Sequence, residues 1–248
     1  MKEITSRQNE EIKAVAKLKL QKERKNRKKF IAEGFRVCKT IAETLTPVTI
    51  YCTQQMLPQA KSITEDCITI VSTPVMEKLS TVKSPSGILG VFPIPQNPDI
   101  ATLSSGAVLA QIADPGNMGT LIRTTAAMGL TSVVLIEGAD PWSPKVVQAT
   151  AGTIAHINIF QLSWEQVIKH KKNMTLTALV VKNGKHPSKI NFANTLIVVG
   201  SEAHGMPQTW IDSCEHTLTL PMPGNTESLN AAVAGSIALY LAANQNPK

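Results

Sequence analysis

The sequence predicts an α/β protein in two parts: a small N-terminal α/β layer and a larger C-terminal domain built on a mostly parallel sheet. Three observations carry this. Short β-like and helical runs alternate along the whole chain. Beyond about residue 104 the strand-like runs become almost continuously apolar, as strands covered on both faces require. Between the halves, "PIPQNPDI" (residues 93–100) places three prolines in a composition that resists both helix and central strand. The expected division is residues 1–95, a linker over 96–103 and residues 104–248.

A first helix is expected over about residues 7–22, where Ile12, Val15, Ala16, Lys19 and Leu20 fall at helical spacing. "KFIAEG", "FRVCKTIAET", "VTIYC", "CITIVS", "PVMEKLST" and "GILGVFPI" follow as alternating strand and helix candidates. In the second part the order is strand "AVLAQIA", helix "MGTLIRTTAAMG", strand "SVVLIE", short helix "PKVVQATAG", strand "HINIF" and helix "WEQVIKHKK". Strands "TLTALVV" and "TLIVVG", a short helix, strand "HTLTL" and a last helix rich in small residues complete it. No internal repeat or low-complexity tract is seen.

Composition narrows the function. The formal charge is +7, yet residues 1–40 hold thirteen Lys or Arg against five Glu, so the rest of the chain is close to balanced. The dense part, "KLKLQKERKNRKKF", suits a polyanion, nucleic acid being the commonest, with Lys22, Arg24, Lys25, Arg27, Lys28 and Lys29 as the candidate phosphate contacts. A solvated helix face, with Glu10, Glu11 and Glu23 as counterions, is the competing reading. An aromatic content of 4% argues against a base-stacking platform. No apolar run reaches the roughly 20 residues of a membrane span, and the first residues lack a signal peptide's apolar core, so a cytoplasmic protein without a membrane partner is expected. Cys38, Cys52, Cys67 and Cys214 stand far apart, suggesting reduced structural thiols and no metal site.

In parallel sheets ligands bind beyond the carboxyl ends of strands. Three loops there are rich in glycine, proline and small polar residues: "ADPGNMGTLIR" (113–123), "VVGSEAHGMP" (198–207) and "LPMPGNTESLN" (220–230). Together they suggest one pocket. On a helix starting near Asn117, Arg123 leans back toward Gly119 and Thr120, toward the first loop. An arginine beside a helix N-terminus suits a phosphate or a developing oxyanion, although a surface salt bridge would also explain it.

The stretches "DPGNMGTLIRTTAAMG", "VVGSEAHGM" and "LPMPGNTESLNAAVAGSIAL" resemble the three ordered motifs of SpoU/TrmH-type RNA ribose 2'-O-methyltransferases of the SPOUT superfamily. "SPKVVQATAGT" (143–153) resembles the family's intervening stretch, and the likeness covers about residues 104–243. Residues 1–95 more loosely resemble the ribosomal-protein-like RNA-binding domain that often precedes this catalytic domain. The resemblance implies a deep trefoil knot, an exception to the usual avoidance of knots. It further implies S-adenosylmethionine as methyl donor, an RNA substrate, ribosomal more than transfer RNA, and a homodimer through the catalytic domain. It places cofactor contacts at Gly200, Leu220, Met222, Ser228 and Leu229, and catalytic roles at Arg123, Asn117, Glu202, Ser228 and Asn230.

Some positions depart from the family pattern. Gln148 and Thr150 replace a frequent Arg and Ser, with altered substrate contacts as the expected consequence, and Ala203 stands where glycine is common. His156 and His204 are expected to be loop hydrogen-bonders. Two rival functions remain: a non-catalytic RNA-binding or ribosome-assembly factor on the same fold, and a transfer-RNA methyltransferase. A Rossmann-type enzyme would need a Gly-x-Gly-x-x-Gly turn after an early strand, which this chain lacks.

Overall fold

The computed structural model describes residues 2–201, 204–224 and 227–244. The chain forms two compact units, Met1–Gln96 with Asp140–His156, and Asn97–Ala139 with Ile157–Lys248. Their first boundary falls inside the proline-rich stretch. The contiguous division expected from sequence differs in two places: residues 97–103, expected as linker, belong to the second unit, where Leu103 is buried in the core, and residues 140–156 leave the second unit and pack within the first.

The first unit holds β1 (Lys2–Ile4), α1 (Glu10–Ala16), α2 (Gln21–Arg27), β2 (Lys29–Glu33), α3 (Phe35–Ala42), β3 (Thr49–Cys52), α4 (Leu57–Lys61), β4 (Ile68–Val71), α5 (Thr73–Leu79) and β5 (Ile88–Pro93). Its sheet runs β1-β4-β3-β5-β2, with β5 antiparallel to both neighbours and the other pairs parallel. One face buries Ile31, Tyr51, Leu89 and Val91 in a core with Ile12 of α1 and Val75 of α5.

The single helix expected over 7–22 is broken. Asn9 caps α1 by accepting from the amides of Glu11 and Ile12, and a 3-10 turn spans Lys17–Lys19. Leu20 is then extended, at φ −92° and ψ 132°, with its side chain 62% exposed. Arg24 accounts for the break. Its guanidinium turns inward and donates to the carbonyls of Leu18 and Lys19, each at 2.8 Å, and to the Asp140 carboxylate at 3.0 and 2.5 Å. A continuous helix would use those carbonyls for its own ladder. Further along the 140–156 segment, the Trp142 ring lies 4.9 Å from that of Phe30. His156 Nε2 is 2.9 Å from the Thr40 carbonyl oxygen. At Gly152, φ is +93° and a Cβ would lie 2.9 Å from the Val37 carbonyl oxygen, so the chain approaches α3 as only glycine permits.

Of the remaining elements, α7 (Pro144–Ala149) belongs to that segment. The second unit comprises β6 (Gly106–Ala110), α6 (Pro115–Ala127), β7 (Ser132–Ile136), β8 (Asn158–Gln161), α8 (Trp164–His170), β9 (Thr175–Leu179), β10 (Thr195–Val199), α9 (Gln208–Asp212), β11 (His216–Leu218) and α10 (Ala231–Asn244). The sheet order is β11-β9-β10-β6-β7-β8 and every pair is parallel. The chain steps outward from β6 to β8, then crosses back so that β10 lies between β9 and β6. The order reverses beside β6, and such reversals open crevices at the carboxyl edge. One sheet face buries Val108, Val134, Leu176 and Val198 beneath Trp164 and Val167 of α8. On the other, α10 meets α6 and β10 at Gly235, where a Cβ would come within 2.5 Å of Leu121 Cδ2 and 3.0 Å of Val199 Cγ2.

Candidate active site

The site is assembled at the carboxyl ends of β9 and β10. A cavity of about 370 Å3, within the usual range for ligand pockets, is lined by Gly200 after β10 and by Leu220, Met222, Ser228, Leu229 and Asn230 before α10. Leu179 and Val199 add apolar walls at the two strand ends, and Ala231 and Ala234 bring the first turn of α10 to the rim. The five residues expected around the cofactor are thus brought together on one cavity. Sequence reasoning passed over the contribution of β9, whose last residue Leu179 and following Val180 and Val181 also line it. The strand-end rule applied there equally, and the "KNGK" turn was its visible signal.

Local chemistry explains the walls. Gly200 has no room for a side chain, because a Cβ would lie 2.6 Å from Met206 Cγ and 2.8 Å from the Gly205 carbonyl carbon. Ser201 and Gly205 exchange two backbone hydrogen bonds, of 3.1 and 2.9 Å, closing the second loop. Glu202 and Ala203, between them, lie outside the described residues. Asn230 caps α10, its Oδ1 accepting from the amides of Ala232 at 2.9 Å and Val233 at 3.3 Å. Its Nδ2 donates to Asn117 Oδ1 at 3.1 Å, joining the third loop to the first. Only a side chain with both donor and acceptor does both.

The first loop is held beside the cavity without lining it. Helix α6 starts at Pro115, two residues before the expected Asn117, because the Asp114 carboxylate caps the Asn117 amide at 2.8 Å and proline suits the first helical position. Arg123 lies on the exposed side of α6. Among the described residues its side chain has neither an ion pair nor a hydrogen bond, so its guanidinium is available to a ligand. The adjacent Thr124 hydroxyl is 3.0 Å from that of Ser236, which ties the helix carrying Arg123 to α10.

Of the basic candidates in the first unit, Lys22, Lys25, Arg27 and Lys28 are exposed and Lys29 is half-buried. Arg27 meets Glu23 at 3.0 Å. Arg24 is the exception: at 3% exposure and with its donors committed internally, it cannot reach an RNA phosphate and is a structural residue. Thr150 corrects a second expectation. It is fully buried, and its hydroxyl donates to the Val147 carbonyl at 2.7 Å, so it makes no substrate contact, whereas Gln148 is exposed.

Burial pushes the thiols of Cys38 and Cys214 up to about 12, keeping them protonated and poor nucleophiles. Among the described residues no cluster of three or more His, Cys, Asp or Glu could hold a metal ion. No described helix is long and apolar enough to cross a membrane.

Fold and cavity together define an α/β protein that takes its ligand at the carboxyl edge of a parallel sheet, between loops anchored to one another. The family model described as the SpoU rRNA Methylase family matches residues 106–240, and one described as an MRM3-like substrate binding domain matches residues 9–90. The chain belongs to the SpoU rRNA methylase family. It is 27% identical to the 23S rRNA (guanosine(2553)-2'-O)-methyltransferase RlmP of Bacillus subtilis, over 97% of this chain and 98% of that protein. It is 29% identical to an uncharacterized tRNA/rRNA methyltransferase of Synechocystis, over 98% of this chain and 93% of that one. The fold matches the AdoMet-bound rRNA methyltransferase from Sinorhizobium meliloti with a TM-score of 0.88 at 24% identity, covering 100% of this chain and 99% of the other.

Proposed function

We propose that this protein transfers a methyl group from S-adenosylmethionine to a ribose 2'-hydroxyl of ribosomal RNA. The observation that carries the reading is the single cavity on which the second and third loops converge, next to a helix bearing an uncommitted arginine. The lining fits the donor: it offers no charged side chain among the described residues, and supplies loop backbone with Ser201, Ser228 and Asn230, groups that match the edge and hydroxyls of a nucleoside. S-adenosylmethionine, when bound, supplies an electrophilic methyl on a sulfonium. In this reading Gly200, Leu220, Met222, Ser228 and Leu229 hold it, and Asn230 and Asn117 keep the loops together. Glu202, in the second motif, keeps the catalytic role that the family resemblance gives it.

Arg123 then fixes the phosphate of the target nucleotide and stabilises the emerging alkoxide. The hydroxyl proton leaves to phosphate or water, because a guanidinium seldom gives up its own. The relative named for 23S rRNA favours ribosomal over transfer RNA, and a cytoplasmic location accords with that proposed substrate. The first unit, with its exposed lysines, is the RNA-binding part in this reading, and the second is the catalytic part, knotted as in its family. A homodimer is supported by Val233, Ile237 and Tyr240, which form an exposed apolar stripe at helical spacing on α10 with 49%, 41% and 56% exposure.

The test is transfer of labelled methyl to unmodified ribosomal and transfer RNA, with the native protein, Arg123→Ala and Arg123→Lys. Alkali-stable label in ribosomal RNA, lost in both variants, is the expected result. Because phosphate clamping by Arg123 uses the two-pronged guanidinium, substantial activity in Arg123→Lys would refute it. Absence of both cofactor binding and transfer to any RNA would point to an assembly factor.

A further inference from the structure

We propose that the loop between β9 and β10 is a phosphate-binding platform for the RNA strand that carries the target ribose, with Lys182, Lys185 and Lys189 as its contacts. This rests on the reading of the chain as an RNA methyltransferase and adds a second RNA-binding element, on the catalytic unit itself.

The first observation is charge. From Gln166 to Ser201 the chain has no Asp or Glu, but six lysines: Lys169, Lys171, Lys172, Lys182, Lys185 and Lys189. The three before β9 lie toward its amino end, where Lys171 pairs with Glu215 at 2.6 Å and Lys172 donates to the Ala101 carbonyl at 2.8 Å. Of the three after β9, Lys182 directly follows the cavity wall Val181, Lys185 bridges to Leu218 at the end of β11, and Lys189 ends the short 3-10 turn Pro187–Lys189. All three are exposed, and none has a carboxylate partner among the described residues. Lys185 donates to His216 Nδ1 at 3.4 Å, which adds no counter-charge.

The second observation is that the loop is built, not loose. The Lys185 amide donates to the Thr217 carbonyl at 2.8 Å and its carbonyl accepts from Thr219 at 3.1 Å, so the loop folds along β11. The Gly184 amide donates to Thr219 Oγ1 at 2.9 Å, and a Cβ at Gly184 would lie 2.6 Å from the Thr219 amide nitrogen. Pro187 and Ile190 are buried and anchor the far end. A fixed backbone pre-orders the lysine stems and lowers the entropy lost on binding.

The third is position. Val180 and Val181, which lead directly into Lys182, are walls of the cavity. A strand whose ribose lies at that cavity must bring its flanking phosphates past its rim, and cations clustered without counterions create the positive potential that a polyanion relieves.

The experiment measures binding of unmodified ribosomal RNA against salt, together with KM for RNA and for S-adenosylmethionine. Native protein is compared with Lys182→Gln/Lys185→Gln/Lys189→Gln and with a control at the other end of the sheet, Lys169→Gln/Lys172→Gln. The expected result is a slope of log affinity on log salt smaller by about 2, from three contacts at roughly 0.7 each on single-stranded RNA. KM for RNA rises while KM for the cofactor holds, and a charge-keeping variant, Lys182→Arg/Lys185→Arg/Lys189→Arg, keeps the native slope. An unchanged slope, or an equal loss in the control, overturns the platform. Should the triple variant unfold, Lys182→Gln/Lys189→Gln tests the same point, with a slope smaller by about 1.4. Native protein that methylates RNA alongside an unaffected platform variant refutes only this inference; native protein that methylates no RNA refutes the functional reading and the platform with it.

Discussion

Replacing Arg24 with methionine removes a guanidinium from the middle of the basic run, and its effect should appear in folding, not in RNA binding. Arg24 and Asp140 have side-chain exposures of 3% and 13%. The guanidinium makes two hydrogen bonds to the carboxylate and two to backbone carbonyls. Breaking one partner of such a buried pair leaves a charge stranded and costs about 3–5 kcal/mol. The two orphaned carbonyls are part of that figure, at roughly 1 kcal/mol each. Urea unfolding followed by fluorescence suits the measurement, since the Trp142 ring packs 4.9 Å from that of Phe30 in the same unit. With a slope of about 3 kcal/mol/M, the midpoint should fall by on the order of 1 M. The exposed neighbour Lys25→Met should stay within about 0.5 kcal/mol of native. Combining Arg24→Met with Asp140→Leu should cost less than the sum of the two changes, because neither leaves the other unpaired. An Arg24→Met midpoint equal to that of Lys25→Met, together with a shallower salt dependence of RNA binding, would show that Arg24 faces phosphate and that the inward pairing is wrong.

Asn230 separates two contributions: Asn230→Asp keeps an acceptor for the α10 cap but loses the donor to Asn117, while Asn230→Ala loses both. Alanine should cost about 1 kcal/mol in thermal stability and aspartate less, with both weakening cofactor binding by calorimetry; equal stability of the two would argue against the cap. Gly235→Val should push α10 from Leu121 and Val199 at about 1–3 kcal/mol and loosen the cofactor, since Ala231 and Ala234 of the same helix line the cavity; unaltered affinity and melting would count against that packing. For Glu215, burial alone would raise the carboxyl pKa, but the Leu176 amide and Lys171 ammonium outweigh it and hold it below the usual range. A lowered folded-state pKa means stability that is present at neutral pH and lost as pH falls below about 4. Glu215→Gln should therefore melt lower at pH 7 and lose less on acidification; parallel curves for the two proteins would refute the pairing.

Much of the site was readable because its signals are local. Glycine, proline and small polar turn residues are chosen by the few residues around them, so the three loops and the helix holding Arg123 stood out before any fold was known. The start of that helix at Pro115 was nonetheless read two residues late, and the Asn230 cap was missed. The alternation of apolar strands and helices likewise reports which faces must be buried, and it yielded the parallel sheet. The break at Leu20 was not readable, since Lys19 and Leu20 continue a helical period and the cause lies 116 residues from Arg24, at Asp140.

By itself, then, the sequence determined the identity and order of most elements and the loops that close on one cavity, because periodicity and turn chemistry act within a few residues. Tertiary structure decided which cations face solvent, that residues 140–156 pack in the first unit, and that the end of β9 joins the loop before α10 as one wall. Those outcomes depend on pairing between distant segments, where burial and charge compensation are settled by neighbours that no local pattern names.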